Sequence, residues 1–472
     1  MRANQHLEKM VRAVMSEIKQ KLEDFCKDRG DEVLTPNVAA EVSKGLQEAT
    51  LSAAREGYRT FIESYDTDVP TIQINGTTYR RKLPSPKPVM SSFGLMKVTR
   101  HLYQPDRGGK THVPLDAMWG MEGEYATSEV REACLFTLAH VTAQETASIL
   151  KKCAGFHPSA TAIQHMAEKV GTFVEANEEE LSSAVRKEEE VPSETQALVV
   201  SMDGVNVLLN EPGPCQGRPK ERPSSSMREE KTSYRNAMVG SLSFYGEVPP
   251  EEHTPKRLES RYIATMPEEK APRFKQRLEE EVKHVELLVG SDITKMILCD
   301  GHKGIWRYVD SNPLYTEYVK GIDFYHTSEH LSRAAEALFG KSSPEATAWY
   351  ESWYDNLLES DDAAYALIRS IDYHRKTRKL TKRRKKEIRK ERTFFLRNKH
   401  RMKYAEFLRR GLPIGSGPVE AACKTIVKTR MGRSGMRWSR KGGQHILHLR
   451  AFVKSNRWDS FWNNHLQLIK AA

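Results

Sequence analysis

Apolar positions near the N-terminus recur at helical spacing. Leu7, Met10, Val14, Ile18, Leu22 and Phe25 fall on one stripe, which predicts a helical region over residues 1–68. The period then switches to two. TIQINGTTYRRKL alternates around an Asn-Gly pair, a hairpin signal, and FGLMKVTRHLYQP alternates again. Residues 69–120 therefore read as a small β region. Helical spacing returns in TSEVREACLFTLAHV, which opens on a capping pattern, Thr127 or Ser128 ahead of acids. Residues 142–175 read as a short helix, a turn over Gly155 to Pro158, and a second helix opening at Ser159. Ala143, Ala147, Ala160 and Ala162 let the two helices cross closely, the shape of a helix-turn-helix within 121–190. Ordinary packed helix pairs share that shape. The acidic run EANEEELSSAVRKEEEVPSE closes this region as a solvated helix and linker.

From residue 197 strands dominate. ALVVSMDGVNVLL reads as a buried strand, and YRNAMVGSLSFYG and LESRYIATM follow it. PEEKAPRFKQRLEEEVKHVELL is a helix, TKMILCDG a strand, and HKGIWRYVDSN a short helix or loop. KGIDFYH is the last strand and runs into the helix TSEHLSRAAEALFG. Strands first, then alternating helix and strand, predict a mixed α/β sheet covered by helices. Residues 339–410 read as helical and basic, with Trp349, Trp353, Leu357 and Leu358 as the apolar stripe. Residues 191–338 and 411–472 flank this helical stretch.

The chain has 472 residues and a formal charge of +11. That length suits two to four domains with ample chain for a core. No apolar run approaches the roughly 18 residues of a membrane span, and the N-terminal stripe lacks the continuous apolar centre of a signal peptide. Six cysteines without a Cys-x-x-Cys pair read as reduced thiols in a cytoplasmic protein. The basic balance suits a polyanion, of which nucleic acid is the commonest. Residues 374–410 are about half Lys and Arg, with too few acids to offset them. Lys382, Arg383, Arg384, Lys385 and Lys386 are the densest cluster there, and such side chains bind phosphates with release of counterions. A second basic stretch follows residue 420: Lys424, Lys428, Arg430, Arg433, Arg437, Arg440 and Lys441 surround Trp438. That ring either stacks on a base at a distorted strand end or belongs to the core. The second helix of the helix-turn-helix shape is of the kind that enters a major groove.

Two predicted strands carry Asp-Gly, at Asp203 and at Asp300. Asp-Gly between apolar runs is a strong hairpin signal. The functional alternative is a pair of carboxylates on neighbouring strands, holding Mg²⁺ for phosphoryl transfer with ions roughly 4 Å apart. Glu420, in GLPIGSGPVEAACK, is the candidate third ligand. Pro418 at the first helical position and an acid two residues later also suit a helix start alone. Asp323 and His326, in DFYH, lie at a strand-to-helix junction, where a lone His is often structural. No phosphate-binding Gly loop, dinucleotide motif, serine elbow or zinc signature stands out.

SMDGV, LCDGHKGIW, DFYHTSEHL and above all IGSGPVEAACKTIVKTRMGRSGMRWS, with GGQHILHLRA and RWDSFW behind it, resemble the DDE transposases of bacterial insertion sequences, the ISKra-type group among them. The resemblance spans residues 90 to 465. It implies a ribonuclease H-like core whose acidic triad is Asp203, Asp300 and Glu420. It also implies a helical insertion between the last two acids, a stretch too long for a simple loop. Asp323 and His326 match an Asp-x-x-His signature in which the His contacts DNA near the scissile phosphate. The implied cofactor is a pair of Mg²⁺ ions, with Mn²⁺ as a substitute. The implied partner is double-stranded DNA, as inverted-repeat ends and as target, bound by a homodimer or larger assembly in the nucleoid. A non-enzymatic DNA-binding regulator and a nuclease without strand transfer are the rival expectations.

Overall fold

The structure is a computed structural model that describes residues 2–27, 33–106, 108–210, 234–290 and 292–471. Cys215 lies outside these residues, and the other five cysteines are free thiols. Among the described residues no helix is long and apolar enough to cross a membrane. The chain divides into two units, Met1–Val170 with Leu466–Ala472, and Gly171–His465.

The first unit opens with α1 (Arg2–Lys27) and α2 (Pro36–Glu63). Glycines let them pack closely: a Cβ on Gly57 would meet Val14, and one on Gly45 would meet Phe25. Met10, Val14, Ile18, Leu22 and Phe25 are half-buried, whereas Leu7 at the head of the expected stripe stays exposed. The Asn75-Gly76 pair takes positive φ at both residues and joins β1 (Thr71–Ile74) to β2 (Thr77–Ser91), as the hairpin signal required. β2 pairs next with β3 (Gly94–Pro105). β2 runs through Pro84, Pro86 and Pro88, which the sequence pattern does not read as strand. β1 covers only its first four residues, so the proline stretch is an edge, where a missing N–H costs nothing. Then come α3 (Pro114–Trp119), α4 (Ser128–His140), α5 (Ala143–Cys153) and α6 (Ala160–Ala176). Thr127 is the N-cap of α4, but its side chain makes no capping bond. The capping box forms one helix later, between Thr142 and Glu145. The turn after α5 ends as read, with the Ser159 hydroxyl accepting from Ala162 N.

The second unit is built on a five-stranded sheet. β4 (Ala197–Leu208), β5 (Tyr234–Tyr245) and β6 (Arg257–Thr265) form an antiparallel meander. β7 (Thr294–Cys299) and β8 (Val319–Ile322) then add parallel to β4, giving the order β6-β5-β4-β7-β8. This mixed α/β sheet is compatible with the expected ribonuclease H-like core. α7 (Glu178–Lys187) precedes the meander, and α8 (Pro272–Leu288) makes the crossover from β6 to β7. α8 buries Phe274, Leu278, Val282 and Val285, each contributing roughly 1.5–3 kcal/mol. After α9 (Lys303–Ser311), α10 (Phe324–Phe339) leads into α11 (Pro344–Glu359), α12 (Ala363–Thr377), α13 (Lys382–Asn398) and α14 (Tyr404–Arg409). This insertion shares one apolar core with the sheet: Leu357, Leu367, Ile371, Ile388 and Phe395 are all buried in it, and Trp349, Trp353 and Leu358 pack against it.

The acidic run around α7 is not the solvated helix its charge suggests. Glu178 pairs with Arg273 at 2.7 Å and Arg277 at 2.8 Å, and Glu189 pairs with Arg261 at 2.9 Å and with Arg457. Arg261 and Arg457 come from distant parts of the chain, so sequence-local charge counting missed these partners.

Candidate active site

Asp203 does not turn a hairpin. It sits inside β4, opposite Val239 of β5, and the strand continues to Leu208. On its other side β4 runs parallel to β7, with Ala197 opposite Thr294 and Val200 opposite Ile297. Carried forward at the same offset, that register sets Asp203 level with Asp300, just past the end of β7. The Met202 N–H donating to Cys299 Sγ at 3.3 Å agrees with it. Level residues on neighbouring strands share a face, with strands roughly 5 Å apart. Asp300 turns no hairpin either: its Oδ1 accepts from His302 N at 2.9 Å, and α9 follows.

Glu420 lies in α15 (Gly417–Ala422), which continues through a π-helical turn, Cys423–Lys428, into α16 (Thr429–Met431). A π turn leaves carbonyls without helical partners. Here Arg450, from α17 (Arg440–Lys454), is 3% exposed and donates to Ile426 O at 2.6 Å and to Thr425 O. Cys423, one turn after Glu420, packs its thiol 3.6 Å from Asp203 Oδ2 and so ties the Glu420 helix to β4.

The carboxylates report on one another. Burial pushes the Asp203 carboxyl above its usual range, the Gly204 amide opposes this, and the charge of Asp300 adds to it. Burial likewise raises Glu420, followed by the charges of Asp323 and Asp203, while His326 opposes. The structure therefore brings Asp203, Asp300, Glu420, Asp323 and His326 to one place. Among the described residues no three His, Cys, Asp or Glu side chains enclose a metal position. The donor chemistry still fits a hard cation: the charge of Asp300 helps to raise the pKa of the half-buried Asp203, the charge of Asp203 helps to raise that of the exposed Glu420, and none of Asp203, Asp300 and Glu420 has an ion-pair partner among those residues.

Asp323 is held within the fold by both of its carboxylate oxygens. It is 1% exposed and caps α10, Oδ1 accepting from His326 N at 2.6 Å. Its Oδ2 accepts from Ser416 N at 2.5 Å and Ser416 Oγ at 2.8 Å. Its own N–H donates to Cys299 O at 2.9 Å. Both oxygens are thus engaged, and Asp323 joins the β7 end, α10 and the loop entering the Glu420 helix. These bonds give Asp323 a positioning role.

His326 is half-buried, its ring 5.1 Å from that of His330 and edge-on to it. His330 stacks on Phe394 of α13 at 3.5 Å, and its Nδ1 lies 2.5 Å from the fully buried Glu391. The insertion thereby supports the site from behind. A Cβ on Gly301 would lie 2.4 Å from Phe394 Cε2. Gly301→Ala is expected to displace this stack at a cost of about 1–3 kcal/mol. A lowered urea midpoint checks it, and an unchanged midpoint contradicts the packing.

The basic residues divide. Lys424, Lys428, Arg437, Arg440 and Lys441 are exposed, as are Lys382, Arg383, Lys385 and Lys386 on α13. Arg384 is half-buried and donates to Ala337 O at 2.7 Å. Arg433 is half-buried, and Arg440 also donates to Pro267 O. Arg430 is 4% exposed and lies over the Trp438 ring at 5.0 Å. Trp438 is half-buried and pairs in parallel with the end of the central strand β4, its N–H donating to Leu208 O at 3.0 Å and its carbonyl accepting from Asn210 N at 2.8 Å. Arg430 and Trp438 thus form a packed pair. Cys423, Ser416, His330 and Glu391 were missed: each acts through a partner remote in sequence, so no local spacing marks them.

No protein-family signature matches the chain, and no curated protein matches it in sequence. Among solved structures, the Drosophila P element transposase strand transfer complex is similar at a TM-score of 0.25 and 10% identity, covering 71% of this chain and 80% of that one. A likeness this slight carries no functional weight, so the site itself must.

Proposed function

We propose that this chain is a DDE transposase that cuts DNA at the ends of an insertion sequence and joins the released 3′-hydroxyl to target DNA. The observation that carries the reading is the convergence of Asp203, Asp300 and Glu420 from two adjacent parallel strands and a separate helix, with no ion-pair partner among the described residues. Asp203, Asp300 and Glu420 would hold Mg²⁺, or Mn²⁺ in its place, which when bound activates an attacking oxygen and offsets phosphate charge. The protein's own groups do the rest. Asp323 fixes the loop that delivers Glu420, and the Cys423 thiol, which burial keeps protonated, spaces that helix from β4. His326 stands beside Asp203 and Glu420, where its ring can donate to a phosphate oxygen. Lys424 and Lys428 face solvent one and two turns after Glu420 and would neutralise the backbone of the cut strand. Holding two ends together calls for a dimer or larger assembly.

The test is a gel assay on a DNA fragment carrying the inverted repeats that flank this gene, with Mg²⁺, comparing wild type with Asp300→Ala. Cleavage at the repeat boundary by wild type alone is expected, followed by joined products when target DNA is added. Cleavage without joining makes it a nuclease. Binding without cleavage in both proteins overturns the enzyme reading in favour of a regulator.

A further inference from the structure

A cavity of about 420 Å³ opens one residue beyond Asp300; Lys303, Trp306, Arg307, Asp310, Arg397 and Arg401 are among the residues that line it. That is within the range of small-ligand sites, about 300–1,000 Å³. Its wall is tied to the candidate active site, because the Trp306 indole N–H donates to Asp300 O at 2.6 Å. Its charges do not balance. Asp310 is the one carboxylate in the lining, and it is shared between Arg401 at 2.6 Å and Lys320 at 3.3 Å. Among the described residues Lys303, Arg307 and Arg397 have no carboxylate partner. Arg401 is 4% exposed, held over the Trp306 ring at 4.1 Å and bonded to Asn398 Oδ1 at 3.0 Å, yet its Nε–H has no hydrogen-bond partner among those residues. Gathering like charges around a cavity and leaving a buried guanidinium N–H unpaired is unfavourable unless an anion completes the set. Planar guanidinium forks match phosphate oxygens in shape as well as charge.

We infer that this cavity is a phosphate-binding pocket, seating a backbone phosphate of the DNA strand that passes Asp300 and so fixing which phosphodiester reaches the carboxylates. The inference rests on the DNA-processing reading for the source of the phosphate. The pocket's chemistry would equally hold the phosphates of a free ligand. Arg307 and Arg397 are exposed at its mouth, and Arg401 forms its back wall.

The experiment measures binding of the full chain to a labelled duplex over a range of salt, and separately titrates inorganic pyrophosphate, for wild type, Arg307→Ala/Arg397→Ala and Arg397→Lys. For every phosphate that a variant no longer neutralises, the slope of log affinity against log salt becomes shallower by about 0.9. The double alanine variant is expected to show that change and Arg397→Lys to keep the wild-type slope, with pyrophosphate competing for DNA. Saturable pyrophosphate binding abolished in the double variant, with the DNA slope unchanged, keeps the pocket but assigns it to a free phosphate ligand. If wild type binds DNA and neither slope nor pyrophosphate binding responds, the pocket is overturned and the DNA-processing reading stands. If wild type binds no DNA, that reading falls, and the backbone phosphate with it.

Discussion

Asp203→Asn is expected to lower DNA cleavage by at least about a thousand-fold, since the charge stabilisation lost with a metal ligand is several kcal/mol and each 1.36 kcal/mol is tenfold. DNA affinity should be unchanged or slightly tighter. The substitution keeps shape and keeps the oxygen that accepts from Gly204 N at 2.6 Å, and the new NH₂ meets the Cys423 sulfur, which can accept where its thiol now donates, so the strand has little reason to move. What disappears is one negative charge in a half-buried site that already holds Asp300 and Glu420. Folding raises the Asp203 pKa, so the charged form is disfavoured in the native state, and removing it relieves repulsion instead of breaking a pair. The thermal midpoint of the variant should therefore match or exceed that of wild type. Mg²⁺ should raise the wild-type midpoint by mass action and the variant's far less. Wild-type cleavage by the variant would remove Asp203 from the chemistry.

That behaviour explains how much of the site could be read from sequence. The strands around Asp203 and Asp300 announce themselves by apolar runs, and a strand Asp is unusual enough to mark. Asp-Gly, however, is a turn signal only where the chain has no partner to extend along, and β5 pairs with β4 along its whole length. The dense basic runs are visible as charge, but charge does not say which cations are already engaged. Arg384, Arg430 and Arg450 face inward because a carbonyl or a ring needs them. The π turn after Glu420 has no local signature; it depends on Arg450 arriving from another helix. The motif around Asp323 marks the junction, but not that both of its oxygens accept from backbone N–H groups, one of them remote in sequence.

The consequence is a second aspartate with the opposite phenotype. Asp323→Ala is expected to cost about 3–5 kcal/mol, combining a lost N-cap with lost charge-assisted bonds to a buried amide and hydroxyl. Asp323→Asn should be nearly as damaging, which a catalytic role would not require. Oδ1 and Oδ2 each accept from a backbone N–H, His326 on one side and Ser416 on the other. An amide offers one oxygen, so its NH₂ must face one of those donors with no lone pair to give, inside a site 1% exposed. The Ser416 loop would loosen and Glu420 would lose its approach, so cleavage should fall together with stability. Ser416→Ala removes only the 2.8 Å hydroxyl bond, and a loss near 1 kcal/mol with partial activity is expected. Urea unfolding and Mg²⁺-dependent cleavage, measured side by side on Asp203→Asn and Asp323→Asn, separate the two roles: the first should fold and not cut, the second should do neither well. An Asp323→Asn protein as stable as wild type but inactive would place Asp323 at the reacting phosphate and refute the clamp.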